Sequence, residues 1–175
     1  MTFRDTLNIC AITALGLSLS FTNAVAQQVQ HVSFKSPAEN SKYTEQHVID
    51  VGDVPGHQVR VYEIHRTYPS NPPVINGLKL TDAWTRATSD YINGMGTGNN
   101  YAVYVVENGD KFFVHSTLVA QSSGGGKLTA TVSGVITGGT GKLAGISGIV
   151  QSVTQADPKA SFNENQSDID YSIGK

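Results

Sequence analysis

Thiol chemistry is almost missing from this chain: the 175 residues contain one cysteine, Cys10, and it lies inside an N-terminal apolar run. Beyond that run there is no cysteine, which excludes disulfides, thiolate catalysis and cysteine-held metals there. Charge is also scarce. Charged residues make up 15% of the sequence, the formal net charge is −2 and no basic cluster occurs. A polyanion would find no electrostatic footprint, so nucleic acids and anionic membrane surfaces are excluded as partners. No later apolar stretch approaches the roughly 20 residues of a spanning helix. Helical patterning is lacking too, since no segment longer than about ten residues keeps an apolar stripe at period 3.6.

The one long apolar run is Ile9 to Phe21, preceded by Arg4 and Asp5 and followed by Ala24-Val25-Ala26 and the polar Gln27-Gln28. A short apolar core ending in an A-x-A site predicts a cleaved signal peptide over 1–26. Cys10, with Asn8 before it, sits too early for a lipoprotein box. The expected product is a secreted or periplasmic protein with one domain over 27–175 and no membrane span, its stability resting on packing alone.

That domain reads at period two. Val59 to Arg66, Tyr101 to Val106 and Phe112 to Val119 are rich in β-branched and aromatic residues, which predicts strands. Glu107-Asn108-Gly109-Asp110 between the last two is a hairpin signal of type I′. Further strands are predicted near Val29–Lys35, Gln46–Val51, Leu78–Tyr91, Lys127–Thr137, Ile146–Gln155 and Gln166–Ser172, with the polar stretch from Asn163 to Lys175 fraying. Seven to nine short strands with short links imply an all-β barrel or sandwich.

Apparent nucleotide motifs fail on inspection. Gly138-Gly139-Thr140-Gly141-Lys142-Leu143 has Leu143 where a phosphate loop needs a hydroxyl, and Ile136 where that loop needs its first glycine. Gly139-x-Gly141-x-x-Ala144 has the letters of a dinucleotide fingerprint, yet Gly145 and Gly148 interrupt any following helix. Glycines of a hairpin account for both. The five histidines show no ligand spacing on one strand face, and no G-x-S-x-G elbow is present. No metal and no cofactor are expected.

The stretch Gln58 to Tyr68 carries the most chemistry. Val59, Val61, Glu63 and His65 share one face; Arg60, Tyr62, Ile64 and Arg66 share the other. Glu and His after two valines predict a lumen that is greasy at one end and polar toward the other. Asp82-Ala83-Trp84-Thr85-Arg86 adds the only tryptophan and an arginine on one face. A surface pair of Asp82 and Arg86 is the structural alternative.

These residues carry a resemblance. Tyr62-Glu63-Ile64-His65-Arg66 with Pro72, and Thr137 to Gly145 with Gly148, resemble the allene oxide cyclase and dirigent barrel superfamily, in which a Gly-Gly-(Ser or Thr)-Gly hairpin lies near the C-terminus. The likeness spans Val59 to Gln155 and is dense only at those two points. It implies a closed antiparallel barrel of about eight strands, commonly a homotrimer. It also implies that Glu63 matches the catalytic glutamate and Pro72 a proline beside the water-holding groups. His65 replaces an asparagine, Asn71 a serine, and Trp84-Thr85-Arg86 aligns with a Phe-Thr-Asn segment.

The resulting expectation is a cofactor-independent cyclase or isomerase acting on a lipophilic, oxygen-bearing small molecule in the lumen. Glu63, His65 and Arg86 would be catalytic: Glu63 as base or cation-stabilising charge, the other two holding or protonating an oxyanion. Tyr62, Asn71, Pro72 and Trp84 would bind substrate, with Pro72 at the rim. The alternative is a non-catalytic carrier or dirigent-like protein for a hydrophobic ligand. A purely structural secreted domain is the third reading.

Overall fold

Each stretch with period-two patterning becomes a strand in the computed structural model, which describes residues 28–174; the predicted leader and its cut before Gln27 lie outside the described residues. In chain order the strands are β1 (Gln30–Ser36), β2 (Ser41–Asp50), β3 (His57–Thr67), β4 (Val74–Ile75), β5 (Leu78–Ile92), β6 (Met95–Val106), β7 (Lys111–Gly124), β8 (Lys127–Gly139), β9 (Ile146–Asp157) and β10 (Phe162–Ile173). All pair antiparallel in the order β1-β10-β9-β8-β7-β6-β5-β3-β2, with the two-residue β4 pairing β5. No α-helix occurs among the described residues.

The expectation of a closed barrel is corrected: β1 and β2 are the two edges of this sheet and share no ladder. They are consecutive in the chain, and the link between them is an arch formed by Pro37 and the 3-10 turn Ala38–Asn40 rather than a hairpin. Curling still brings the start of β10 near β2, where side chains bridge the seam. Asn163 Nδ2 donates to the Tyr43 hydroxyl at 3.4 Å, and Arg66 donates to Asn163 Oδ1 at 2.7 Å.

Two local expectations also change. The Asn108-Gly109 turn is not type I′, since Gly109 alone has positive φ (86°). Gly109 N–H donates to Val106 O, and Val106 N–H to Asp110 O, so a type I turn is followed by a glycine bulge. The polar stretch from Asn163 to Ile173 does not fray, because β10 is flanked on both sides by β1 and β9. Paired backbone on both edges outweighs the low hydropathy of its side chains.

Inward-facing residues form two apolar layers. The larger contains Ile75, Leu80, Phe112, Leu143, Ile169 and Tyr171, all essentially without solvent contact. Burying each Leu or Ile there contributes about 1.5–3 kcal/mol. β4 and its flanks cap this end, where Asn76 N–H donates to the Tyr171 hydroxyl at 2.7 Å. Tyr91, Leu118, Leu128, Ala130 and Ala156 form the smaller layer toward the other end. What separates the two layers is polar.

Candidate functional site: a cationic interior chamber

Side-chain alternation on β3 puts Arg60, Tyr62, Ile64 and Arg66 on the concave side of the sheet. Facing them are Asn100 of β6, Ser116 of β7, Ser152 of β9, and Asn163 and Asn165 of β10. Together they enclose a chamber of ≈ 70 Å³ with apolar walls that include Ala102, Val114 and Val150. A few waters or one small polar head group would fill that volume.

Both arginines are buried, each 8% exposed, and among the described residues no carboxylate is buried with them. Their partners are neutral. Arg66 donates to Thr85 Oγ1 at 2.9 Å and to Asn163 Oδ1 at 2.7 Å, and its Nε–H has no hydrogen-bond acceptor. Arg60 donates to Gln46 Oε1 at 2.6 Å and lies over the Tyr62 ring, 5.5 Å from its centroid. Desolvation raises the pKa values of Tyr43, Tyr62 and Tyr91, so these hydroxyls stay neutral and supply no counter-charge. Two buried guanidiniums without an anion cost several kcal/mol each in lost hydration.

A second, wider pocket of ≈ 570 Å³ opens above the chamber. Its wall comes from the turns and strand ends at the β3-start end of the sheet: Gly56, Asn93, Gly94, Ser122, Gly126 and Pro158. Arg60, Tyr91, Leu128 and Pro158 belong to both walls, so the pocket is the mouth of the chamber. Lys127 and Lys159 stand at the mouth with Arg60, and among the described residues no acidic side chain lines either space.

Of the residues singled out in the sequence, Tyr62 lines the chamber. Glu63, His65, Trp84 and Arg86 gather on the opposite, convex face of the sheet, which corrects the expectation that they point into the lumen. The register sets Glu63 beside Arg86 and His65 beside Trp84. Arg86 pairs with Glu63 at 2.8 Å, and Thr44 donates to Glu63 Oε1 at 2.6 Å. His65 stacks on Trp84 with 3.9 Å between ring centroids and bonds Asp82 at 2.7 Å. The surface pair of Asp82 with Arg86 is thus replaced by two pairs, Glu63–Arg86 and His65–Asp82. Asn71 and Pro72 follow β3, at the end of the sheet away from the mouth, and line neither space.

The reason is the direction of curl. Valine beside Glu63 made that face look inward, but Val61 is 53% exposed while Ile64 is 3% exposed. Arg60, Arg66 and Asn163 are the chamber residues that the sequence reading missed. The usable signal was Asn163, Asn165, Ser167, Ile169 and Tyr171, an uninterrupted period-two series that marks the inner face of one strand.

Among the described residues no cluster of three His, Cys, Asp or Glu side chains could hold a metal ion, and no helix is long and apolar enough to cross a membrane. No family model, curated protein or solved structure matches this chain.

Proposed function

We propose that this is an exported carrier-type protein that binds a small amphipathic molecule in its interior without changing it covalently. The observation that supports the reading is the head-group-sized chamber opening into a mouth of ≈ 570 Å³, a volume within the range of small-molecule sites. The mouth carries Val48, Tyr91 and Leu128 for an apolar body. The polar layer beneath is suited to a polar head. None of the chamber groups is a carboxylate, a free histidine or an activated nucleophile, so the interior supports binding better than catalysis. Titration calorimetry with octan-1-ol tests it: the protein should bind, and Ala156→Phe, which projects a ring into the chamber, should abolish the heat. Failure of the unsubstituted protein to bind either octan-1-ol or the matching carboxylate, octanoate, would refute the reading.

The convex cluster favours a second reading, cyclisation or isomerisation at Glu63. A glutamate paired with Arg86 serves mainly to fix charge beside a substrate. Enclosing it from water needs another copy of the chain over this face, as a homotrimer would provide. Light scattering should then give three times the monomer mass, and Glu63→Gln should abolish turnover of an epoxide substrate. A monomer would remove this reading.

A further inference from the structure

The chamber also restricts the chemistry of its ligand, an inference that rests on the interior-binding reading above. We propose that the ligand is an anionic amphiphile, a small monocarboxylate whose head reaches Arg66 and Arg60 in the polar layer while its apolar body lies against Tyr91 and Leu128 in the mouth.

Three observations converge on a negative charge. Arg66 is more than nine-tenths buried, lines the chamber and keeps Nε–H without an acceptor. A planar guanidinium matches the two oxygens of a carboxylate, and its present partners, Thr85 and Asn163, are neutral. The second guanidinium approaches from the other end of the same face. Arg60 and Arg66 are six residues apart, roughly 20 Å along an extended strand. Arg66 bonds Thr85 of β5 inside the chamber, and Arg60 bonds Gln46 of β2 at the mouth. The two guanidiniums thus mark the inner and outer parts of one path.

The third observation is the path. Lys127 and Lys159 flank the mouth, and no acidic residue interrupts the approach from there to Arg66. Such a funnel steers anions inward and repels cations. Asp53 and Asp90 hold His57. Asp157, which accepts from Ala160 N–H, is the carboxylate beside the mouth, next to Gly126, and it stands against the two lysines and two arginines of the path. A neutral alcohol would satisfy one donor and leave both charges uncompensated. A monocarboxylate supplies one of the two missing negative charges, and the chamber volume of ≈ 70 Å³ admits its head alone.

Titration calorimetry with octanoate, octan-1-ol and octylammonium at one ionic strength separates the two claims. Octanoate should bind at least tenfold more tightly than octan-1-ol, and octylammonium should not bind. Arg66→Gln keeps hydrogen-bonding capacity but removes the charge, so it should reduce octanoate affinity tenfold or more and reduce the ratio of octanoate to octan-1-ol affinity. Because a core substitution can impair folding, Asn163→Asp provides an independent arm. It places a carboxylate where Oδ1 already lies 2.7 Å from Arg66, so it should raise the melting temperature of the ligand-free protein and weaken octanoate at least tenfold. Equal affinity for octanoate and octan-1-ol, or undiminished octanoate binding by Asn163→Asp, would overturn the anionic ligand while leaving interior binding intact. Failure of the unsubstituted protein to bind either compound would overturn both.

Discussion

Gly139→Ala tests the glycine hairpin through a single methyl group. Gly139 ends β8 opposite the fully buried Phe112. A Cβ there would stand 2.5 Å from Leu143 O, 2.8 Å from Ile146 Cγ2 and 2.9 Å from Lys111 O. Two of the three are backbone carbonyls, one in the 3-10 turn Gly141–Leu143 and one at the start of β7, so neither can swing aside. Overpacking of this kind costs about 1–3 kcal/mol. The loss of unfolded-state freedom on replacing glycine offsets some 0.4–1 kcal/mol of it. The net expectation is about 1–2 kcal/mol, which for a domain of this size is roughly 2–8 °C in melting temperature. Urea unfolding should show a lower midpoint with an unchanged slope. Gly139→Val, with two more carbons in the same space, should lose more. If Gly139→Ala unfolds at the wild-type midpoint, the turn does not pack on β7 as described and the reasoning fails.

His57 receives Asp90 on one ring nitrogen at 2.7 Å and Asp53 on the other at 2.6 Å. These two bonds, Asp90 first, raise its pKa, and the bond from His57 lowers that of Asp53. A raised histidine stabilises fully below its unfolded value of about 6.5 and loses this as pH rises through its folded value; a lowered aspartate stabilises above about 3.9 and loses this as pH falls. The difference in melting temperature between wild type and His57→Gln should therefore be greatest between about pH 4 and 6.5 and shrink on either side; a difference constant from pH 5 to 9 would refute the clamp. Trp84 is the single tryptophan and lies on the convex face, so octanoate in the chamber should leave its emission unchanged, whereas a ligand at Glu63 and Arg86 would shift it. Intact mass of protein recovered from outside the cytoplasm should begin at Gln27, and a species retaining Met1 to Ala26 would remove the export expectation.

Strand positions were legible because side-chain alternation is a local property. β3, β6 and β7 each announce themselves within a few residues, as does the turn at Gly109. β10 was legible only in part. Its amides and hydroxyls lower the hydropathy of a strand that lies between two others, yet its period-two order is intact.

Residue order by itself determined the all-β class, the antiparallel neighbours joined by short turns, and which side chains share a face. Glu63 with His65, and Arg60 with Arg66, follow from a period of two and nothing more. Tertiary structure alone decided which face is concave. β3 has no purely apolar face, so hydropathy could not orient it; the orientation comes from its neighbours, where Ala83, Ala87 and Ala102 are buried and Arg86 and Tyr101 are exposed. Once those strands turn their small residues inward, pleating leaves β3 no choice, and Arg60 and Arg66 enter the interior while Glu63 leaves it. The meeting of Arg66 with Asn163, 97 positions apart, is likewise a product of curling, since it requires β3 and β10, each next to an edge strand of the row, to approach across a seam that no backbone ladder closes.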